Sequence, residues 1–280
     1  MRKLDVSVIT EKVAELCVKA NLELPDSLCK KLQESAQREE SPLCRDVLRD
    51  LELNLDSAKR LGVPICQDTG MAVVFLEVGQ DVHIVNGDLR AAVNAGVEKA
   101  YTENYLRLSV VGDCFSRENT NTNTPAIIHT EIVPGDSVQI TVMPKGFGSE
   151  NKSRLKMLVP TASVDDVIEF IVSVVSDAGA SPCPPVVVGV GIGGDFEYAA
   201  YLSKKALCRD INERNPSAFY AEMERRALDE INKLGIGALG FGGRITAFAV
   251  NIMEFPTHIA GLPVAVNIGC HAARHAISVL

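Results

Sequence analysis

The first sixty residues carry apolar side chains at helical spacing. Val6, Ile9, Val13, Leu16 and Cys17 fall on one stripe of a 3.6-residue repeat. Shorter stripes follow at positions 28 and 32, and again at positions 47, 48, 51 and 55 after a Ser-Pro helix-start signal at 41–42. This pattern predicts a helical N-terminal layer that ends near residue 60.

Beyond residue 70, apolar runs of strand length alternate with helical segments. Strands are predicted at 71–78, 83–85, 126–133, 137–143, 186–190, 245–252 and 262–268, and helices at 88–105, 164–177, 196–207 and 218–234. Pro134-Gly135-Asp136 predicts a hairpin-type turn between the third and fourth strands, and residues 145–153 read as a loop. Because no repeat or linker interrupts the pattern, residues 1–280 are expected to form one α/β unit, with the helical layer packed on a mixed β-sheet body.

Composition narrows the class of protein. The 280 residues carry a net charge of −8, which argues against nucleic acid as a partner because backbone binding needs a basic face. No apolar run reaches the roughly 18 residues of a membrane helix, and the charged N-terminus lacks the apolar core of a signal peptide. We therefore expect a soluble cytoplasmic protein that does not enter a membrane. An anionic substrate would need a local cluster of Arg, Lys and His.

Three of the eight cysteines stand on stiffened turns at the ends of predicted elements. Cys66 precedes Gln-Asp-Thr-Gly, Cys183 lies between prolines in SPCPP, and Cys270 lies in NIGCHAARH. Soft thiolates brought together in threes suit an iron–sulfur cluster or zinc. The spacing matches no local metal motif, so three unrelated buried thiols are the alternative that the residues leave open.

Six short motifs occur in a fixed order between about residue 41 and residue 280. They are CQDTG, the NTP segment at 123–125, GSENKS at 148–153, CPP followed by VGVGIGG, FGG near Gly242, and the terminal GCHAARH. This ordered set resembles the alpha subunit, the N-terminal catalytic half, of the class I iron–sulfur-dependent fumarate hydratases. The alpha subunit of L-tartrate dehydratase is a close relative that shares the three cysteines, and the GSENKS loop favours fumarate.

The resemblance implies a fold like the N-terminal domain of the iron–sulfur hydro-lyases and a specific site. Three cysteines would hold a 4Fe–4S cluster whose fourth iron has no protein ligand and binds the dicarboxylate substrate: Cys66, Cys183 and Cys270. Asp68 would relay protons to and from the substrate hydroxyl, and Gln67 would face the substrate. The substrate carboxylates would be held by Arg107, Gly148, Ser149 and His258. The ordinary alternatives are a solvated Arg107, a structural His258 and an Asx turn at Asp68.

The resemblance also implies a partner. The remaining substrate arginines, the lysine and the base of the family lie in its C-terminal half, which does not occur in this sequence. We therefore expect a separate beta subunit, an assembly of two alpha and two beta subunits, and no hydration of fumarate to L-malate by this chain alone.

Other classes of protein have to be weighed. Residues 189–194 satisfy GxGxxG, the dinucleotide-binding fingerprint, but the next segment is too polar to be the second strand of a βαβ unit, and the glycines would equally permit close strand–helix packing. Cys270, His271 and His275 could chelate zinc if 271–275 were helical; a short C-terminal helix with exposed histidines is the ordinary alternative. A scaffold that has lost activity is a third possibility, against which the intact cysteine set and Gln67-Asp68 argue.

Overall fold

The computed structural model describes residues 1–280, which form two compact units. Unit 1 comprises residues 1–25, 55–147 and 274–280, and unit 2 comprises residues 26–54 and 148–273. The helices are α1 (Val6–Leu22), α2 (Asp26–Arg38), α3 (Pro42–Leu61), α4 (Leu89–Glu103), α5 (Phe147–Glu150), α6 (Val164–Ala178), α7 (Phe196–Ala206) and α8 (Ala218–Lys233). The strands are β1 (Arg2–Asp5), β2 (Met71–Gly79), β3 (Val82–Val85), β4 (Ile127–Val133), β5 (Val138–Lys145), β6 (Arg154–Leu158), β7 (Val186–Gly194), β8 (Ala247–Thr257), β9 (Leu262–Gly269) and β10 (Ala276–Val279). The mixed α/β class predicted from the sequence is confirmed.

Unit 1 is built on a four-stranded sheet in the order β10-β5-β2-β4. The central strand β2 carries five consecutive buried residues, and it pairs parallel with β4 and antiparallel with β5. Helices α1 and α4 supply buried apolar side chains to the core beneath this sheet. Asp5 caps α1 and Asp88 caps α4, each accepting a backbone N–H from the first turn.

The hairpin predicted for residues 126–143 is wrong, because β2 lies between β4 and β5. The backbone N–H of Gly79 donates to Ser137 at 2.8 Å, and that of Gln80 donates to Val133 at 2.8 Å, so the end of β2 separates the two strands across the Pro-Gly-Asp turn. A Cβ on Gly79 would lie 2.4 Å from the carbonyl oxygen of Gly135, so glycine is required there. A strand as apolar as β2 is buried only when it has a partner on each edge.

Unit 2 has a four-stranded sheet in the order β6-β9-β7-β8, with β7 parallel to β8 and antiparallel to β9. Helices α6 and α8 cover the face that carries the alternate residues 186, 188, 190 and 192 of β7. Helix α7 packs on the opposite face at Gly189 and Gly191, where a Cβ would lie 2.1 Å from the carbonyl oxygens of Ser203 and Ala199. The glycines of the GxGxxG pattern therefore allow the backbone of α7 to approach the strand.

Three short strands and the C-terminus differ from the sequence expectation. Strands β1, β6 and β10 were not predicted, and the helix expected after Cys270 is not formed. Residues 271–275 are a turn and irregular chain, after which β10 pairs antiparallel with β5. The alternation of buried Ala276 with the more exposed Ile277 follows a period of two, which is typical of a strand. No helix in the structure is both long and apolar enough to cross a membrane.

Candidate active site

The turn Asp68-Thr69-Gly70, called the DTG turn below, holds its own carboxylate in a fixed direction. Asp68 is half-buried, and each of its carboxylate oxygens accepts a backbone N–H: that of Gly70 at 3.0 Å on Oδ1 and that of Phe147 at 3.1 Å on Oδ2. The first bond is the Asx turn that the sequence suggested. The second reaches across 79 residues, so the carboxylate is held at both ends rather than at one.

Three buried side chains hold the carbonyl groups of the DTG turn. Arg274 donates from Nη2 to the first carbonyl, Tyr101 donates from its hydroxyl to the second at 2.6 Å, and Asn123 donates from Nδ2 to the third at 3.1 Å. These side chains are exposed by 4%, 1% and 0% respectively. Because every carbonyl of the turn has a buried donor, the turn is a rigid base for the Asp68 carboxylate.

The segment that carries Arg107 is attached to the same turn. The Thr69 hydroxyl oxygen accepts the backbone N–H of Arg107 at 2.8 Å and donates to its carbonyl oxygen at 3.2 Å. Asn123 Oδ1 accepts the backbone N–H of Ser109 at 2.7 Å. The backbone of Arg107 is thus fixed beside the DTG turn while its side chain is exposed, and Gln67 is exposed as well. The backbone of Arg107 therefore lies beside the turn that carries Asp68.

Two of the predicted cluster ligands lie together in unit 2. Cys183 precedes β7 and Cys270 follows β9, and these antiparallel strands pair Val187 with Gly269, so the two cysteines stand at the same end of the sheet. The backbone N–H of His271 donates to the carbonyl oxygen of Cys183 at 3.1 Å, and His271 Nδ1 lies 3.0 Å from the same oxygen. The third predicted ligand, Cys66, belongs to unit 1 and is separated from the DTG turn by one residue, Gln67.

The predicted ligands are accessible to differing degrees. Cys183 is exposed, and Cys66 and Cys270 are half-buried, as are Cys29 and Cys208, whereas Cys17 and Cys44 are 0% exposed. Burial raises the pKa of the Cys17 thiol to about 12, which disfavours the thiolate form that binds metal. Cys183 has a φ of 53°, a left-handed conformation that costs a non-glycine residue about 1–3 kcal/mol and is concentrated at functional sites. Accessible thiols on stiff turns are a donor set that fits an iron–sulfur cluster.

The loop that the sequence assigned to carboxylate binding begins in the short helix α5. Gly148 is exposed and Ser149 is 5% exposed, and the backbone N–H of Lys152 donates to the Ser149 carbonyl at 3.1 Å. A Cβ at position 148 would come no nearer than 3.8 Å to Ser181, so glycine leaves the backbone there uncovered. The backbone is therefore accessible at Gly148, whereas Ser149 is buried.

The same loop is anchored to the strand that leads to Cys270. Glu150 forms an ion pair with Lys204 of α7 and accepts an N–H from Asn267 at 3.2 Å. Ser153 Oγ accepts the backbone N–H of Ile268 at 3.1 Å. Because Asn267 and Ile268 lie in β9, these contacts set the GSENKS loop relative to the end of that strand.

His258 lies at the exposed tip between β8 and β9. Its Nδ1 accepts the backbone N–H of Ala260 at 3.2 Å, which leaves Nε2 as the nitrogen that carries hydrogen in the neutral ring. The ring direction is therefore fixed by its own turn. Within unit 2 no hydrogen bond or ion pair joins His258 to Cys183, Cys270 or the GSENKS loop.

The zinc hypothesis has no support in the structure. It depended on His271 and His275 sharing one helical face, and residues 271–275 are not helical. No group of three or more His, Cys, Asp or Glu side chains is arranged to hold a single metal ion.

Sequence reasoning missed the side chains that support the DTG turn, namely Tyr101, Asn123 and Arg274. Two of them lie inside motifs that the sequence had marked, NTP and GCHAARH, but neither residue was given a role. The sequence offered one signal for Arg274: it is an arginine among small residues, in a terminal segment that packs into a core. Long-range side chain to backbone contacts leave no periodic pattern, so the pairing itself could not be deduced.

Comparison with known proteins identifies the family to which a chain with this fold and this DTG turn belongs. The sequence profile described as fumarate hydratase (Fumerase) matches residues 10–279. The chain therefore belongs to the fumarate hydratase (Fumerase) family, as an alpha subunit of the class I fumarate hydratase/tartrate dehydratase group. The resemblance stated from the motifs is confirmed, and the protein is an enzyme of the hydro-lyase class.

Individual relatives match nearly the whole chain. A protein of Methanocaldococcus jannaschii named "Putative L(+)-tartrate dehydratase subunit alpha" is 40% identical over 275 residues, which cover 96% of this chain and 96% of that protein. The L(+)-tartrate dehydratase subunit alpha of Escherichia coli (strain UTI89 / UPEC) is 34% identical over 273 residues, with coverages of 96% and 89%. The protein of the same name from Shigella sonnei is 33% identical over 273 residues.

Proposed function

We propose that this chain is the alpha subunit of a two-subunit 4Fe–4S hydro-lyase that reversibly hydrates fumarate to L-malate. The observation that carries the proposal is the DTG turn, in which the Asp68 carboxylate is oriented by two backbone N–H groups and the Arg107 backbone is bound to Thr69. A carboxylate and a guanidinium on one rigid base are what a proton transfer beside a dicarboxylate needs.

The proposed cluster ligands are Cys66, Cys183 and Cys270. Their accessibility and the common sheet end of the last two support this ligand set. When bound, the cluster supplies Lewis acidity at an iron that has no protein ligand.

The chain's own residues have separate tasks in this proposal. Hydration places a hydroxyl group on one alkene carbon and a proton on its neighbour. Asp68 holds the proton that moves to or from the hydroxyl oxygen, with the direction of its carboxylate set by Gly70 and Phe147. The carboxylates of the substrate are bound by the Arg107 guanidinium, the accessible backbone at Gly148, the neighbouring Ser149, and His258 Nε2, while Gln67 donates from its amide.

A second polypeptide completes the site in this proposal. A dianionic substrate needs several positive groups, and the net charge of the chain is −8. Among the residues assigned to carboxylate binding only Arg107 carries a permanent charge, so further cations are needed. Relatives of full-length coverage are named as alpha subunits, which supports a beta subunit and an assembly of two alpha and two beta subunits.

Dehydration of L(+)-tartrate is the second candidate. The names of the relatives favour it, whereas the GSENKS loop at residues 148–153 favours fumarate. Both reactions form or remove a hydroxyl beside a carboxylate, so one site chemistry serves either substrate.

Anaerobic purification of the chain with iron and sulfide tests the cofactor directly. We expect a brown protein with broad visible absorption and about four irons per chain. Replacing Cys66, Cys183 or Cys270 by Ser should each abolish or sharply lower the iron content, while Cys114→Ser, which changes another exposed thiol, should leave it unchanged. A colourless wild-type protein, or iron content that is equal in all four variants, would overturn the ligand set.

A further inference from the structure

Arg274 is a buried cation that has no oppositely charged partner. Its side chain is 4% exposed, forms no ion pair, and makes one hydrogen bond, from Nη2 to the carbonyl oxygen of Asp68. Its Nε and Nη1 are buried and have no hydrogen-bond partner. Burying a charge without a partner is strongly destabilising, and a neutral amide could donate the same hydrogen bond to one carbonyl without that cost.

The charge of Arg274 lies next to the DTG turn. The guanidinium holds the carbonyl of Asp68, the residue whose carboxylate the site uses, and it does so four residues after Cys270 in the chain. Burial raises the pKa of the Tyr101 hydroxyl, with Arg274 opposing that rise and Asp68 adding to it. The hydroxyl of Tyr101 itself holds the next carbonyl of the turn. The positive guanidinium and the negative carboxylate therefore both act on the buried base of the same turn.

We propose that Arg274 is a positioning residue for the hydro-lyase reaction. Its hydrogen bond fixes the peptide that carries the Asp68 side chain, and its uncompensated charge offsets the negative charge that collects at the site when a dicarboxylate binds beside Asp68. This inference rests on the proposed function, because it assigns Arg274 a task in the reaction through Asp68. Its one hydrogen bond is to a backbone carbonyl, so Arg274 acts through Asp68 and not on the substrate directly.

The complete enzyme, carrying its cluster and its beta subunit, tests the proposal with three variants. Arg274→Gln keeps a hydrogen-bond donor and removes the charge, Arg274→Lys keeps the charge, and Arg90→Gln is the control for an exposed arginine of unit 1. We expect kcat to fall about tenfold or more in Arg274→Gln with a much smaller change in KM, an intermediate kcat in Arg274→Lys, and wild-type values in Arg90→Gln. Iron content should be the same in all of them.

Hydrogen exchange of the purified chain gives a readout that does not depend on turnover. The peptide that contains residues 66–70 should exchange faster in Arg274→Gln than in wild type, and at the wild-type rate in Arg90→Gln. If Arg274→Gln does not fold, Arg274→Lys decides: the proposal requires lowered kcat with retained iron in that variant.

Three results would overturn the proposal. Wild-type kcat in Arg274→Gln would show that the charge is not used. A rise in KM at constant kcat would make Arg274 a direct substrate ligand. A loss of iron in step with kcat would make Arg274 a support of the cluster. Failure of the proposed function is distinguishable, because then the wild-type enzyme itself would process neither fumarate nor L(+)-tartrate, while the exchange measurement would still report on the anchoring of the turn.

Discussion

At the scale of single residues, Asp68 is the group whose environment is most fully specified. Each oxygen of its carboxylate accepts one backbone N–H. In Asp68→Asn the amide nitrogen must face one of these donors, so one bond is lost and the proton-carrying oxygen is replaced. We expect kcat of the complete enzyme to fall by about 100-fold or more, the range typical of general acid–base groups. Steady-state turnover at matched iron content measures this, and wild-type kcat in the variant would remove Asp68 from the mechanism.

A substitution at Asn123 tests how much the side chain that bridges the same turn contributes to the stability of the chain. It is 0% exposed and bridges the Gly70 carbonyl and the Ser109 N–H, so Asn123→Ala should lower the free energy of unfolding by about 1–3 kcal/mol, through a buried carbonyl without its donor. Urea unfolding of the purified chain provides the measurement. Asn121→Ala is the matched control, because Asn121 has a φ of 60° against 57° for Asn123 but is exposed. Equal losses in the two variants would mean that backbone strain, and not the bridge, accounts for the effect.

At the scale of elements, the sequence predicted the parts whose pattern is local and missed those set by distant partners. Helices α4, α6, α7 and α8 were found within a few residues because each has an apolar stripe, and α4 and α6 are capped by Asp88 and Ser163. The pairing of β4 with β2 instead of β5 could not be deduced, since a Pro-Gly-Asp turn fits either connection.

The C-terminal strand β10 was also missed because its state depends on a distant partner. The four residues of β10 are too few for a period to be read, and their state is decided by pairing with β5. Within the candidate site, the motifs pointed to Asp68 and the cysteines, whereas the hydrogen bonds of Tyr101 and Arg274 to the DTG turn depend on tertiary structure and leave no trace in spacing.

The contact between α7 and β7 gives a prediction at this scale. A methyl group in Gly191→Ala would lie 2.1 Å from the Ala199 carbonyl oxygen and 2.7 Å from the Ser203 nitrogen, both of them backbone atoms. We expect a loss of about 1–3 kcal/mol or more in the free energy of unfolding, as is typical of overpacking. Gly261→Ala, which has nothing within 4 Å of the new methyl group and no positive φ, should change stability by less than about 0.5 kcal/mol.

Urea unfolding of the two variants compares them directly, and equal stabilities would mean that the helix can move away at little cost. The dinucleotide alternative has a separate test: tight binding of a nicotinamide cofactor by the wild-type chain would contradict the packing explanation.

At the scale of the whole molecule, the distribution of charge bears on how the enzyme is completed. A chain with net charge −8 has no long-range attraction for a dicarboxylate. Binding must then come from short-range groups, and the residues that we propose for carboxylate binding include one permanent cation, Arg107. A polypeptide that supplies further cations would therefore change affinity and turnover together, rather than only the rate of encounter.

This argument predicts the behaviour of the chain with and without its partner. Loaded with its cluster and alone, the chain should show no hydration of fumarate above background; co-expressed with the beta subunit, it should convert fumarate to L-malate with a higher kcat/KM than it shows for L(+)-tartrate. Fumarate loss, L-malate formation and oxaloacetate formation from L(+)-tartrate are measured on the same preparations, with Asp68→Asn in the complete enzyme as the inactive control. Turnover by the single chain would remove the need for a second polypeptide. A kcat/KM that favours L(+)-tartrate would instead leave the two-subunit hydro-lyase intact and reassign its substrate, because the groups that hold a carboxylate beside a hydroxyl are common to both reactions.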